Sequence, residues 1–229
     1  MLKKTEGIVF SFLRYQESSI ISKIFTRELG LKSYIINGVR SSKSKGKIAL
    51  YQPLTILDMV VYEKGNANLN RISETKLQHA FQTIPFDFYK SGIAMFMAEV
   101  LSKSIYESYQ NEDLFDFLVQ AIMFLDSEEV HLSHFPLVFL WETSKYLGFS
   151  PGNAEEFFEE IQENITRQID WGAEMQSLNI IIEQSFECSV KIPAKIRRDL
   201  LDHMLALYSK HLDFGGEWKS VKVLRQLMH

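Results

Sequence analysis

Apolar positions recur at two different periods along this chain, and the change falls near residue 85. Ahead of it the pattern is that of strands. Ile8, Phe10 and Phe12 alternate with Val9, Ser11 and Leu13 until Arg14-Tyr15-Gln16-Glu17 ends the run. Ser19 to Thr26 resumes it, with Ile20, Ser22 and Ile24 on one face and Ile21, Lys23 and Phe25 on the other. Gly30 marks a turn, and Leu31 to Val39 is a third β-branched and aromatic run. Arg40 to Lys47 is basic and serine-rich, a loop by composition. Leu54 to Tyr62 reads as a fourth strand, with Pro53 at its start where a missing N–H does little harm, and Leu69 to Ser73 as a weaker fifth. Five short strands with no helix long enough for a parallel crossover predict a small antiparallel barrel. The break between the third and fourth favours an oligonucleotide-binding (OB) type over an SH3-like one.

Beyond residue 85 the period is helical. Ile93, Met97, Val100, Leu101 and Ile105 form one stripe, and Leu114, Phe117, Leu118, Ala121, Ile122 and Leu125 form a second behind an Asn111 cap. Ser133 caps a helix stopped by Gly148, Asn153 starts a short acidic one over Glu155 to Asn164, and a long one runs from Pro193 to His211. A last helix is expected over Lys219 to Leu227, while residues 165–190 give no clear signal. The expected class is therefore α+β: a five-stranded antiparallel OB-type barrel over 1–80, then an all-α helical body over 81–229.

Charge sharpens this division. The net −4 conceals thirteen Lys/Arg against six Asp/Glu in residues 1–80, a balance of +7, and −11 in the remainder. Such asymmetry points to a polyanion partner for the basic half. No apolar run is long enough to span a membrane, and Met1–Phe10 contains no secretory h-region, so the expected compartment is the cytoplasm. A single cysteine, Cys188, excludes an internal disulfide and a thiolate zinc cage and reads as a small buried hydrophobe.

Enzyme signatures are absent: no G-x-G-x-x-G, Walker loop, G-x-S-x-G or H-E-x-x-H occurs. Glu155, Glu156, Glu159 and Glu160 read as a solvated face beside Phe157, Phe158 and Ile161 rather than as an acid–base pair. His131 with His134, and His203 with His211, lack a well-spaced third ligand and read as surface or cap residues. The stretch Arg40-Ser-Ser-Lys43-Ser-Lys45-Gly46-Lys47 is different, with four cations, three hydroxyls and no acid. Cations bind nucleic-acid phosphates by releasing counterions, and hydroxyls add hydrogen bonds. Arg14, Lys23, Arg27 and Arg71 are candidates for the same face. Among Phe10, Phe12, Tyr15, Tyr34 and Tyr51, which could stack on bases, most must be barrel core, so none is singled out.

Thr5-Glu6-Gly7-Ile8-Val9, Tyr15-Gln16-Glu17, Thr26-Arg27-Glu28-Leu29-Gly30, Gly38-Val39-Arg40 with Lys43 and Ser44, and Gln52-Pro53-Leu54 follow one another in an order and spacing that resemble the RecO recombination-repair family of bacteria. The likeness continues thinly through Ala98-Glu99-Val100-Leu101, Leu147-Gly148-Phe149-Ser150-Pro151 and Lys219-Ser220-Val221-Lys222-Val223-Leu224. The resemblance implies an OB barrel on a helical body without catalytic residues. It also implies binding of single- and double-stranded DNA, strand annealing, work with RecR, engagement of the single-strand-binding protein, and help in loading RecA. Arg40 and the basic residues after it carry over as DNA contacts. Many relatives hold zinc with four cysteines; with Cys188 alone, this chain is expected to be a zinc-free variant.

The resemblance further implies a receptor in the helical body for an acidic peptide tail. The densest basic island there is Lys191-Ile-Pro-Ala-Lys195-Ile-Arg197-Arg198, which opens the long helix, with Lys219, Lys222 and Arg225 as a fallback. Two competing readings remain at this point. One is an OB-fold regulator with RNA as ligand; the other is an adaptor whose basic face binds an acidic protein.

Overall fold

The computed structural model describes residues 1–41, 46–63, 69–162 and 171–227. Two compact units emerge: Met1–Gln82 with Ala98–Met123, and Thr83–Met97 with Phe124–His229.

The first unit is built on a closed barrel in the order β1-β2-β3-β5-β4, from β1 (Leu2–Tyr15), β2 (Ser19–Thr26), β3 (Gly30–Ile36), β4 (Ile56–Tyr62) and β5 (Asn70–Leu77). Four seams are antiparallel as expected, and the fifth, β3 on β5, is parallel. The reason is parity, since an odd number of strands cannot alternate direction around a ring. β1 starts six residues earlier than the sequence pattern indicates, because its first half, Leu2 to Ile8, pairs with β4 while its second half pairs with β2. Polar Lys3, Lys4, Thr5 and Glu6 hide that half from a hydrophobicity reading. A bulge at Phe10 shifts the register between Val9 and Ser11. Val9 and Phe12 therefore both face the interior, with Ile20, Ile24, Tyr34, Leu57, Met59 and Val61, instead of facing opposite sides. Gly7 lies in the same interior row, where a Cβ would come within 2.7 Å of Ile24. β4 begins at Ile56 rather than Leu54, since Leu54 has a left-handed backbone (φ 65°) that no strand accommodates. A 3₁₀ turn over Lys47–Tyr51, which the loop reading of Arg40–Lys47 did not foresee, precedes it.

The helices are α1 (Phe88–Ser104), α2 (Glu112–Asp126), α3 (Phe135–Leu147), α4 (Ala154–Ile161), α5 (Trp171–Gln184), α6 (Ala194–His211) and α7 (Val221–Leu227). Their ends follow local chemistry. The Asn111 side chain accepts from the Leu114 amide at 2.9 Å, Asn153 accepts from the Glu156 amide at 3.0 Å, and Gly148 closes α3 at φ 82°. α3 is capped at His134, one residue after the expected Ser133. α5 occupies part of the ambiguous stretch; its buried face combines Leu178 and Ile181 with Glu174, a mixture that breaks the apolar stripe.

In the first unit, residues 98–123 seal one end of the barrel. Phe10 stacks on Phe25 (5.6 Å between centroids), and Phe25 meets Phe115 at 6.0 Å. The Leu31 amide donates to the Tyr109 carbonyl at 3.0 Å, and the Ser108 amide donates to the Leu31 carbonyl at 2.7 Å. Gly30 makes this approach possible. Its backbone is left-handed (φ 69°), and a Cβ would lie 2.3 Å from the Tyr109 carbonyl oxygen. Gly38 has a similar φ of 71° but open space around it. Gly30→Ala is therefore expected to lower stability by about 2 kcal/mol or more, measured by chemical denaturation. Gly38→Ala carries only the left-handed cost of roughly 1–2 kcal/mol. Equal losses in the two variants would show that the Tyr109 contact contributes nothing.

Candidate nucleic-acid interface

Residues paired directly across strands share a face of the sheet, so register alone builds the outer surface of the barrel. One row runs through Leu13, Ile21, Ile35, Arg71 and Tyr62 and returns to β1 at Leu2, a stagger along β1 of the kind barrel closure demands. Leu13 is 55%, Leu2 53% and Tyr62 44% exposed, and Arg71 is exposed among them. The next row carries Ser11, Lys23 and Ser33. An exposed apolar stripe that carries a cation and an aromatic ring makes this row a candidate binding surface. The Leu13 end of this row lies beside the β1–β2 turn.

Other cations gather at the same end. Arg14 pairs with Ile20 at the start of β2. The Arg40 amide donates to the Ser18 carbonyl at 3.0 Å, and its guanidinium donates to the Gln16 carbonyl at 3.2 Å, so Arg40 braces the β1–β2 turn. Where β3 and β5 diverge past their two paired positions, the Lys47–Tyr51 turn fills part of the gap. A slot of about 340 Å³ remains, lined among others by Ile36, Leu50, Tyr51 and Ile72, with Lys47, Asn37 and Arg71 around it. Among the described residues, Arg14, Lys23, Lys47 and Arg71 enter no ion pair, which leaves their charges available. Lys43 and Lys45 lie outside the described residues.

Arg27 is elsewhere. It sits at the far end of β2 from Arg14, roughly 20 Å away at strand rise. There it pairs with Asp116 at 2.7 Å, and that hydrogen bond raises its pKa. The whole Thr26–Gly30 stretch is structural: the Thr26 hydroxyl donates to the Gly30 carbonyl at 2.8 Å, the Thr5 hydroxyl donates to Glu28, and Leu29 enters the core. The aromatic candidates also sort by burial. Phe10, Tyr34 and Tyr51 are core, and burial pushes both tyrosine phenols up. Tyr15 and Tyr62 stay open to solvent. Tyr62 and Leu2 went unnoticed in the sequence because their outward direction depends on register.

In the second unit the α6 island divides by helix face. Arg197 is 9% exposed, and its guanidinium donates to the Ser133 carbonyl at 3.3 Å; burial, with Arg198 alongside, lowers its pKa. It is a brace between segments. Lys195 is open to solvent and pairs with Asp199 at 2.7 Å. Lys195, Arg198 and Arg225 line one cavity of about 600 Å³ together with Asp199, Asp202, Glu174 and His203. Lys191 is exposed ahead of the helix, and Lys222 pairs with Glu217 at 2.8 Å. Three of the histidines, His134, His203 and His211, have protein partners. His134 Nε2 donates to the Val190 carbonyl at 2.7 Å in a buried site that lowers its pKa, His203 lies 3.0 Å from Glu174, and His211 lies 2.6 Å from Glu160. Cys188 is buried, and no group of three His, Cys, Asp or Glu among the described residues is placed to hold a metal. The four-thiolate zinc set does not fit these residues.

The Recombination protein O N terminal family matches residues 1–81, and the Recombination protein O C terminal family matches residues 85–155. The DNA repair protein RecO of Flavobacterium psychrophilum is 38% identical over 98% of this chain and 98% of its own length. The chain belongs to the RecO family. The RecO of Flavobacterium johnsoniae is likewise 38% identical over 98% of each chain, and that of Phocaeicola vulgatus is 42% identical over 69% of this one. No helix among the described residues of this RecO-family chain is long and apolar enough to cross a membrane.

Arg27 and Arg71 separate a structural from a binding role. Arg27→Ala is expected to lower the melting temperature while leaving oligonucleotide affinity nearly intact. Arg71→Ala is expected to do the reverse, reducing the slope of log affinity against log salt by about 0.7 if it contacts one phosphate of a single strand. Thermal melts and salt titrations of both variants check this, and the same behaviour from both would remove the distinction.

Proposed function

We propose that this RecO-family protein is a non-enzymatic, cytoplasmic DNA-repair mediator. Residues 1–80 bind single- and double-stranded DNA and promote annealing, and residues 81–229 form a helical domain that engages protein partners. With RecR, it assists RecA loading on strands coated by single-strand-binding protein. It acts by mass action, without turnover and without a metal. The observation that carries the DNA reading is the outer row of exposed Leu13, Tyr62 and Leu2 with Arg71 in it, next to Arg14, Lys23 and Lys47, which enter no ion pair among the described residues. Cations supply the salt-dependent affinity, and exposed apolar and aromatic side chains supply surfaces for unstacked bases. Arg40 lies at the same end of the barrel, and Lys43 and Lys45 of the basic segment that follows it in sequence complete the set of DNA contacts in this reading.

A salt titration against matched DNA and RNA oligonucleotides tests the reading. DNA binding that falls steeply with salt is expected, and charge reversal of Lys43, Lys45 and Lys47 should change the single-strand slope by roughly 2. Preference for RNA would move the protein to the regulator class, and no binding to either would leave the basic face to an acidic protein.

The receptor for the acidic tail of single-strand-binding protein is assigned to the cavity of Lys195, Arg198 and Arg225, with Lys191 as an outlying contact. Lys195, Arg198 and Arg225 are the cations such a tail would meet there, its carboxylates taking the place of Asp199 on Lys195 and of Asp202 on Arg225. Reversal of Lys195, Arg198 and Arg225 to Glu should reduce binding of a fluorescent tail peptide while sparing bare DNA. Full peptide affinity in that variant would remove the assignment, and Arg197 is left out because its loss would unbrace the fold.

A further inference from the structure

We propose that the slot between β3 and β5 captures one unstacked nucleobase of a bound single strand, an assignment that rests on the DNA-binding reading of this end of the barrel. The slot exists because the two strands are joined over only two residue pairs and then separate, and the 3₁₀ turn closes the gap incompletely. Part of its wall is aliphatic: Ile36, Leu50 and Ile72 are half-buried and pack against the barrel core on their inner sides. At its floor the Tyr51 ring is buried, with its hydroxyl 3.2 Å from that of Thr75, and Asn37, Ser73 and Thr75 add polar groups to the lining, so aliphatic faces and hydrogen-bonding groups lie side by side. Lys47 and Arg71 are exposed around it and have no acidic partner among the described residues.

A slot of mixed aliphatic and hydrogen-bonding lining with two cations beside it suits a ligand that is flat and edged with polar atoms in one part and anionic in the next. A nucleotide has that form, with the base in the slot and its phosphates on Lys47 and Arg71. The volume of about 340 Å³ is at the lower end of the roughly 300–1,000 Å³ of small-molecule sites, room enough for one base. A base inside a duplex must be unpaired and unstacked before it can enter, which opposes entry. Occupation therefore favours single strands and ends when the strand pairs with its complement. For a protein that anneals strands, this couples pairing to release.

The full chain, titrated with a thymidine oligonucleotide, a strand of equal length made of abasic sites, and a duplex, tests the slot. Leu50→Trp and Ile36→Trp fill it from opposite walls while leaving Lys47 and Arg71 in place. Each folded variant is expected to weaken binding of the thymidine strand about tenfold more than binding of the abasic strand. Equal weakening on both strands, or none on either, would overturn the slot and leave the barrel as a phosphate-binding face. Absence of wild-type binding to all three would instead overturn the DNA reading itself, and the slot with it. Circular dichroism establishes that each variant is folded. Should both variants fail to fold, wild-type protein irradiated with a strand carrying a photoreactive 5-iodouracil decides the matter. Crosslinks in the peptide spanning Lys47–Tyr51 support the slot, and crosslinks confined to other peptides overturn it.

Discussion

Five strands closed into a ring must place one pair side by side in the same direction, and in this barrel that pair is β3 and β5. A parallel pair needs both strands to run together without a hairpin to hold them, and here the contact lasts for two residue pairs. Much of what distinguishes this end of the molecule follows. The diverging strands leave a gap, the Lys47–Tyr51 turn is drawn into it, and Tyr51 becomes core while Lys47 stays outside. β1 answers the same closure by serving two neighbours along its length, with a bulge at Phe10 where it passes from one to the other.

The two ends of the barrel consequently have different tasks. At one end the Thr26–Gly30 turn is fixed to residues 98–123 by ring stacking, backbone hydrogen bonds and the Arg27–Asp116 pair. A left-handed glycine there allows two backbones to meet. At the other, Arg14, Lys23, Lys47 and Arg71 enter no ion pair among the described residues, and large apolar side chains remain exposed. A net balance of +7 in the first eighty residues describes both ends together. The tertiary structure separates the charges that hold the protein from those that can hold something else.

The helical part separates charges in the same way. Arg197 and Arg198 are adjacent in sequence, yet one is buried against the Ser133 carbonyl and the other borders a cavity. Arg225, from α7, reaches that cavity although it is far away in sequence. An island of basic residues on a helix cannot point in one direction, because consecutive residues lie about 100° apart around its axis.

The sequence by itself determined the fold class, five strands followed by helices, and the alternation of β2, whose Ile20 and Ile24 face the core as their spacing requires. It also determined the Asn111, Gly148 and Asn153 helix ends, because capping uses groups within a few residues of one another. Family membership was legible too, in motifs such as Thr26–Gly30. The role of that motif was not: Arg27 reads as one more cation until Asp116, 89 residues away, is found beside it. The first half of β1, the inward turn of Phe12, the burial of Tyr51, the outward row through Tyr62 and Arg71, and the slot beside it were likewise decided only in three dimensions. Propensity, period and capping act over neighbouring residues and so remain visible in the chain. Register, bulges and ring closure depend on which distant strand lies alongside, and a shift of one residue reverses every side chain that follows.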